Sequence, residues 1–195
     1  MNPVEVADFC QVVQAKIAAG CSLAAALHAA AGPAKVDAAA AVSLVSSGVP
    51  LAAALPVVGV DVVSAHRVAV ACGDPGVMHQ VVSQLRCEAS SRVDAGTVAD
   101  ASVLRWLALA LPVMPWVPAL RVCPVWGCSV ASAVAAGESV AAALEASTAP
   151  AVLRRWAVAA GSGGWVECAD VVAAELLGCE HVACRTSGNT APGSN

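Results

Sequence analysis

Short Gly and Pro clusters cut the apolar stretches of this chain into lengths of about 10 to 20 residues, the span of ordinary helices. Alternating Val/Ile/Thr/aromatic runs, which strands need, are nowhere sustained, whereas Ala, the best helix former, is abundant. The pattern predicts an all-α chain, with helices over 3–19, 22–31, 35–47, 50–55, 60–72, 76–103, 104–120, 128–136, 139–146, 149–160 and 165–183. The tail after Cys184 is rich in Ser, Gly, Asn and Pro and is expected to be loose.

One eleven-residue template recurs three times: Ile17-Ala-Ala-Gly20-Cys-Ser-Leu23-Ala-Ala-Ala-Leu27, Val45-Ser-Ser-Gly48-Val-Pro-Leu51-Ala-Ala-Ala-Leu55 and Val134-Ala-Ala-Gly137-Glu-Ser-Val140-Ala-Ala-Ala-Leu144. Physically it reads as a helix stopped by Gly at its C′ position, then a new helix started by Ser22, by Pro50 at its first turn, or by Ser139. The four-residue step from Leu23 to Leu27 puts both on one face, and the alanines permit close helix approach. Each copy therefore predicts a helix–Gly–helix corner. Two copies extend further, to Cys72-Gly73-Asp74-Pro75-Gly76 and to Gly161-Ser162-Gly163-Gly164, each preceded by a helical stretch carrying Arg67 or Arg154-Arg155.

Composition narrows the class. Apolar residues make up 58% and charged residues only 12%, about half the usual charged share, so disorder and an ordinary polar surface are both excluded. Six aromatics leave a core of Ala, Val and Leu. A formal charge of −4 offers no footprint for a phosphate backbone, so no nucleic-acid partner is expected. Nine scattered cysteines are an odd set and a poor disulfide framework; they read as reduced, small apolar residues. The start, MNPVEVADFC, has acids at Glu5 and Asp8 and lacks the pattern of a signal peptide.

From 106 to 137 only Arg121 is charged. A crossing of about 30 Å needs roughly 20 residues, which the run from Val103 supplies with Arg105 and two tryptophans, Trp106 and Trp116, near the interfaces. A second, shorter run from Val122 to Ala136 would return. The alternative is a buried hairpin broken by Pro112, Pro115 and Pro118. Residues 1–102 are then expected as a helical unit, 103–136 as a hydrophobic membrane-associated segment, 137–183 as a partial second helical unit and 184–195 as a flexible tail.

These corners, the Gly turn after them and the lipophilic run resemble the type II secretion system F family, the inner-membrane platform proteins of type II secretion and type IV pili, including short Tad/Flp members. The first family element falls on Gly20, Ser22, Leu23 and Leu27, and the second on Gly48, Leu51 and Leu55. The third falls on Gly73, Asp74, Gly76 and Met78, with Asp74 where the family has Glu and one residue fewer. The resemblance implies an all-α bundle of repeated corners with one or two membrane-associated helices, sited at the bacterial inner membrane with its helical units facing the cytoplasm. It implies a non-enzymatic subunit that couples a secretion or pilus ATPase to pilin assembly and contacts other platform subunits, pilins and lipid. Gly20, Gly48, Gly73, Asp74, Gly76 and Gly137 would shape the partner-binding surface. The runner-up is a soluble, self-associating α-helical binding or scaffold domain.

No catalytic or cofactor-binding constellation emerges. A Walker-type Gly-x4-Gly-Lys-Ser/Thr is absent, and the Gly161–Gly164 turn is not preceded by a strand. Cys179-Glu-His181-Val-Ala-Cys184 offers soft ligands, but its spacing matches no familiar zinc motif, and no metal is expected. His28, His66 and His79 stand at no diagnostic spacing from Cys87 or Cys168.

Overall fold

A computed structural model describes residues 1, 3–34, 36–160 and 164–178, and over them the only regular elements are helices. Six form a first group: α1 (Pro3–Ala18), α2 (Leu23–Ala34), α3 (Ala39–Ser46), α4 (Leu51–Ala54, continued by a 3-10 turn Leu55–Val58), α5 (Val62–Ala71) and α6 (Pro75–Ser90). Their core gathers Phe9, Val13, Leu27, Leu55, Met78 and Leu85. Six more follow: α7 (Ala95–Ala110), α8 (Trp116–Arg121), α9 (Trp126–Ala135), α10 (Val140–Glu145), α11 (Ala151–Ala160) and α12 (Trp165–Leu177). They enclose a second core around Leu104, Trp106, Leu120, Leu144, Leu153 and Trp156.

The two groups follow the same plan. In each, the first helix packs on the last, α1 on α6 and α7 on α12. The α1/α6 pair is antiparallel: Gln14 Nε2 donates to the Pro75 carbonyl at 2.9 Å near one end, and Arg86 Nη2 donates to Asp8 at 3.0 Å near the other. Gly48 joins the third helix to the fourth, and Gly137 occupies the same place in the second group.

The corners form as the template requires. Gly20, Gly48 and Gly137 have φ of 83°, 89° and 99°, left-handed values that a Cβ disfavours. Each ends its helix in a Schellman motif: the Gly N–H bonds to the carbonyl of Ile17, Val45 or Val134, and the next N–H, of Cys21, Val49 or Glu138, bonds to Lys16, Leu44 or Ala133. Ser22 Oγ then accepts from the Ala25 N–H and Ser139 Oγ from the Ala142 N–H. Pro50 is the N-cap of α4 and not its first helical residue. Burial repeats as well, since the last alanine and the Leu of every copy are inside: Ala26 and Leu27, Ala54 and Leu55, Ala143 and Leu144.

The lipophilic run takes the hairpin form. A single rod over 104–120 does not exist, because α7 ends at Ala110 and α8 starts at Trp116, the link holding Pro112 and Pro115. Leu104, Trp106, Leu107, Ala110 and Leu120 turn into the second core, and Trp106 is wholly buried instead of marking an interface. No helix among the described residues is long and apolar enough to cross a membrane. The expected boundary at 102 falls inside α7, and residues 103–136 supply the second half of α7 with α8 and α9 to the second core.

The expected 76–103 helix also divides, at 91–94. Asp94 caps α7, accepting from the Thr97 N–H at 3.1 Å and from its hydroxyl at 2.7 Å. That hydroxyl bond is the first cause holding the Asp94 carboxyl below its ordinary value. Residues 161–163 and 179–195, with the Cys179/His181/Cys184 cluster and the tail, lie outside the described residues.

Candidate functional site

The residues expected to shape a partner surface are all at exposed helix ends. Gly20 lies between α1 and α2, Gly48 between α3 and α4, and Gly137 between α9 and α10. Gly73, Asp74 and Gly76 form the start of α6, where Asp74 Oδ1 accepts from the N–H groups of Gly76 and Val77 at 2.8 and 3.2 Å, with Pro75 in the first turn. The Gln14–Pro75 bond brings the α1 end that carries Gly20 to the α6 end that carries Asp74. Gly137 belongs to the other core's helices.

A more concentrated arrangement lies where the two groups meet. Arg67 on α5 is fully buried, and its Nη1 donates to both oxygens of Glu88 on α6, at 2.9 and 3.0 Å, and to Ser102 Oγ on α7 at 3.0 Å. Its Nη2 donates to Gln84 Oε1 at 2.9 Å. From the other side, Arg105 on α7 donates through Nη1 to Glu88 Oε1 at 3.0 Å and to the Gln84 carbonyl at 3.1 Å. Gln84 Nε2 reaches Asp170 on α12 at 3.0 Å. Arg105 Nε lies 3.7 Å from the same carboxylate, an ion-pair contact too long for a hydrogen bond.

Four formal charges, two of each sign, thus balance between two otherwise apolar cores. Taking such charges out of water is costly, and their mutual bonds repay the cost only when geometry and partners are complete. Nearly all donors are used; Arg67 Nε and Arg105 Nε are the buried side-chain N or O atoms without a hydrogen bond among the described residues. The network specifies how α5, α6, α7 and α12 register, which a purely apolar junction would do poorly.

In sequence Arg67 stands only as a basic residue ahead of the Gly73 turn and Glu88 carries no expectation, while Arg105, expected near a membrane interface, is instead buried on Glu88. The signal was there. Met78, Val81, Val82, Leu85 and Glu88 share one helical stripe, and Arg105 interrupts Leu104-x-Trp106-Leu107. A charge at a position the period assigns to the core needs a buried partner of opposite sign.

Above this network opens a groove of about 640 Å³. α5 contributes Val63 and Ser64, α7 contributes Val98, Ser102 and Val103, and the segment 121–128 closes the far wall. That wall depends on Gly127, where an added Cβ would collide with the Leu120 carbonyl and lie 2.7 Å from the Cys123 Cβ. Burial pushes the Cys123 thiol up to about 12, so it lines the groove as a neutral, apolar group.

Other side chains resolve as structure. His66 Nδ1–H donates to the Val62 carbonyl at 2.8 Å, and its ring meets Trp106 edge-on at 5.6 Å. Trp116, Trp156 and Trp165 pack on one another with centroids 4.9 to 6.1 Å apart, two of the three pairs edge-on. Cys87 is disulfide-bonded, with none of the free Cys10, Cys21, Cys72, Cys123, Cys128 and Cys168 as its partner, so the nine cysteines are not all reduced. Among the described residues no group of three or more His, Cys, Asp or Glu side chains stands as a metal site. No protein-family model matches the chain, and no curated protein and no solved structure is significantly similar to it.

Proposed function

We propose that this chain is a helical platform subunit of the type II secretion system F kind, acting at the cytoplasmic face of a bacterial inner membrane in a type II secretion or type IV (Tad/Flp) pilus system. Its work would be mechanical: ATP hydrolysis by a partner ATPase would be passed, through small-residue helix contacts, to pilin assembly. The observation that carries this reading is the threefold corner, whose glycine geometry, Schellman stop and burial of the last Ala and the Leu are the same in all three copies. Repeated rigid corners supported by close Ala contacts suit a body that transmits movement without deforming. Gly20 and the Asp74 turn, brought to one end of the α1/α6 pair, are the surface assigned to the ATPase or to another platform subunit. Membrane association would run through such subunits or through apolar residues at the surface, such as Val57, Val113 and Val158.

The test is crosslinking in the native host followed by purification of the chain. Enrichment of a secretion ATPase or of pilins, weakened by Asp74→Arg, is the expected result. Recovery of neither, with pili assembled normally after deletion, would overturn the reading.

A second reading, a self-associating α-helical binding or scaffold unit, draws on one observation: no helix among the described residues is long and apolar enough to cross a membrane. Sedimentation of the purified chain separates the two, since this reading requires concentration-dependent oligomers without any partner.

A further inference from the structure

The groove over the Arg67–Glu88–Arg105 network has features of a small-molecule site that the platform reading does not use. Its volume of about 640 Å³ falls within the range of ligand pockets, roughly 300–1,000 Å³. Its walls are mostly apolar, with Val98, Ala99 and Val103 along one side and Cys123 on the other. Polar groups are few and are placed where they orient rather than fill.

The state of the charged lining residues determines what chemistry the groove would accept. Glu88, at the base, already receives N–H groups from two guanidiniums. Asp61 is engaged as the cap of α5, accepting from the Ser64 N–H at 2.9 Å. Arg121, exposed at the opening, makes no ion pair among the described residues. Asp61 keeps its negative charge but holds it against the positive end of α5, so Arg121, a lining cation that meets no carboxylate among the described residues, is the group left to receive an acid. The lip is apolar too: Val125 is 94% exposed and Val62 50%. These valines would be covered by a chain entering between them.

We propose that this groove binds a single-chain amphiphile with an acidic head, a monomeric fatty acid, its alkyl chain along Val98, Ala99 and Val103 and its carboxylate on Arg121. Arg121 lies at the mouth, so the head group stays partly solvated and contributes selectivity. The chain contributes affinity, at about fourfold per buried methylene. The proposal is independent of any role in secretion.

Calorimetric titration of the full chain with octanoate and decanoate below their micellar concentrations, and with decanol below its solubility limit, tests it. Saturable one-to-one binding of decanoate is expected, about 15-fold tighter than octanoate for the two added methylenes. Decanol should bind up to about fivefold more weakly, the worth of a partly exposed ion pair. Arg121→Gln should erase the difference between acid and alcohol while leaving decanol binding unchanged. Ala99→Trp, at an exposed position of α7, should block both ligands with helicity and melting temperature retained.

Decanol equal to decanoate on the unaltered chain would refute the acidic head. Non-saturable binding, or decanoate binding that survives Ala99→Trp, would refute the groove. Binding confined to vesicles of phosphatidylglycerol and phosphatidylcholine, or self-association blocked by Ala99→Trp without any decanoate binding, would assign the groove to a bilayer or to a second copy and overturn the proposal.

Discussion

Trp106 Nε1 donates to the carbonyl of Ala119 at 2.9 Å, with both groups buried. This bond ties α7 to α8 across the proline break and satisfies an indole that would otherwise sit polar in an apolar core. Trp106→Phe keeps most of the volume and leaves the Ala119 carbonyl without that donor, so a loss of about 1–3 kcal/mol is expected in urea unfolding. A change under 0.5 kcal/mol would show that the bond contributes nothing to the hairpin.

Glu88→Ala should be far more damaging than loss of a surface pair. It leaves the buried guanidinium of Arg67 without a carboxylate and Arg105 with only the 3.7 Å contact to Asp170, for an expected cost of about 3–5 kcal/mol. Arg86→Ala, which removes the exposed pair with Asp8, should cost no more than about 1 kcal/mol. Raising salt to 1 M should erase the small effect and spare the large one, because buried charges are little screened. Equal losses for the two variants would contradict the burial assigned to the network.

Gly48→Ala places a Cβ at φ 89° and should destabilise by about 1–2 kcal/mol, although nothing lies within 4 Å of the new atom. Gly127→Ala should cost about 1–3 kcal/mol for the opposite reason, since its backbone is helical and the Leu120 carbonyl occupies the space. Gly48→Asn, which tolerates the left-handed region better, should recover part of the first loss and Gly127→Asn none of the second. The same order of melting temperatures for both pairs would contradict this distinction.

Burial pushes the thiols of Cys10 and Cys123 from 9.0 up to about 12. The folded state then holds these protons more tightly than the unfolded chain does. The associated stability is complete below pH 9 and is lost as pH rises from 9 toward 12, at up to about 1.4 kcal/mol per pH unit for each thiol. Urea midpoints between pH 8 and 11 should fall, and Cys10→Ala should make the decline shallower. Modification by a thiol reagent at pH 8 should reach the exposed Cys21 and Cys128 quickly, and Cys10 and Cys123 only with unfolding. A midpoint independent of pH would contradict this assignment.

Helix class and corners were readable because each rests on local chemistry. A Gly three residues after an apolar position and two before a Ser or Pro describes a Schellman stop followed by a cap, and no distant contact is required. The Asp94–Thr97 cap was equally local, yet the apolar positions on either side of it read as one long helix, and the break went unseen. Residues 103–120 were ambiguous in principle: hydropathy reports that a segment avoids water, and lipid or a protein core answers that equally well. Arg67, Glu88 and Arg105 are 17 to 38 residues apart, so each looked like an isolated charge until the helices brought them within 3 Å. The groove belongs to no local pattern; α5, α7 and the 121–128 hairpin make it together.

The antiparallel α1/α6 pair places the entry and exit of the first six helices side by side, and the link from Ser90 to Ala95 is all that separates them from the next six. A body closed in this way tolerates tandem duplication, because a second copy can be appended without threading through the first. In this chain the seam carries the charges: one group supplies Glu88 and the other Arg105, so each completes a buried pair that the other begins.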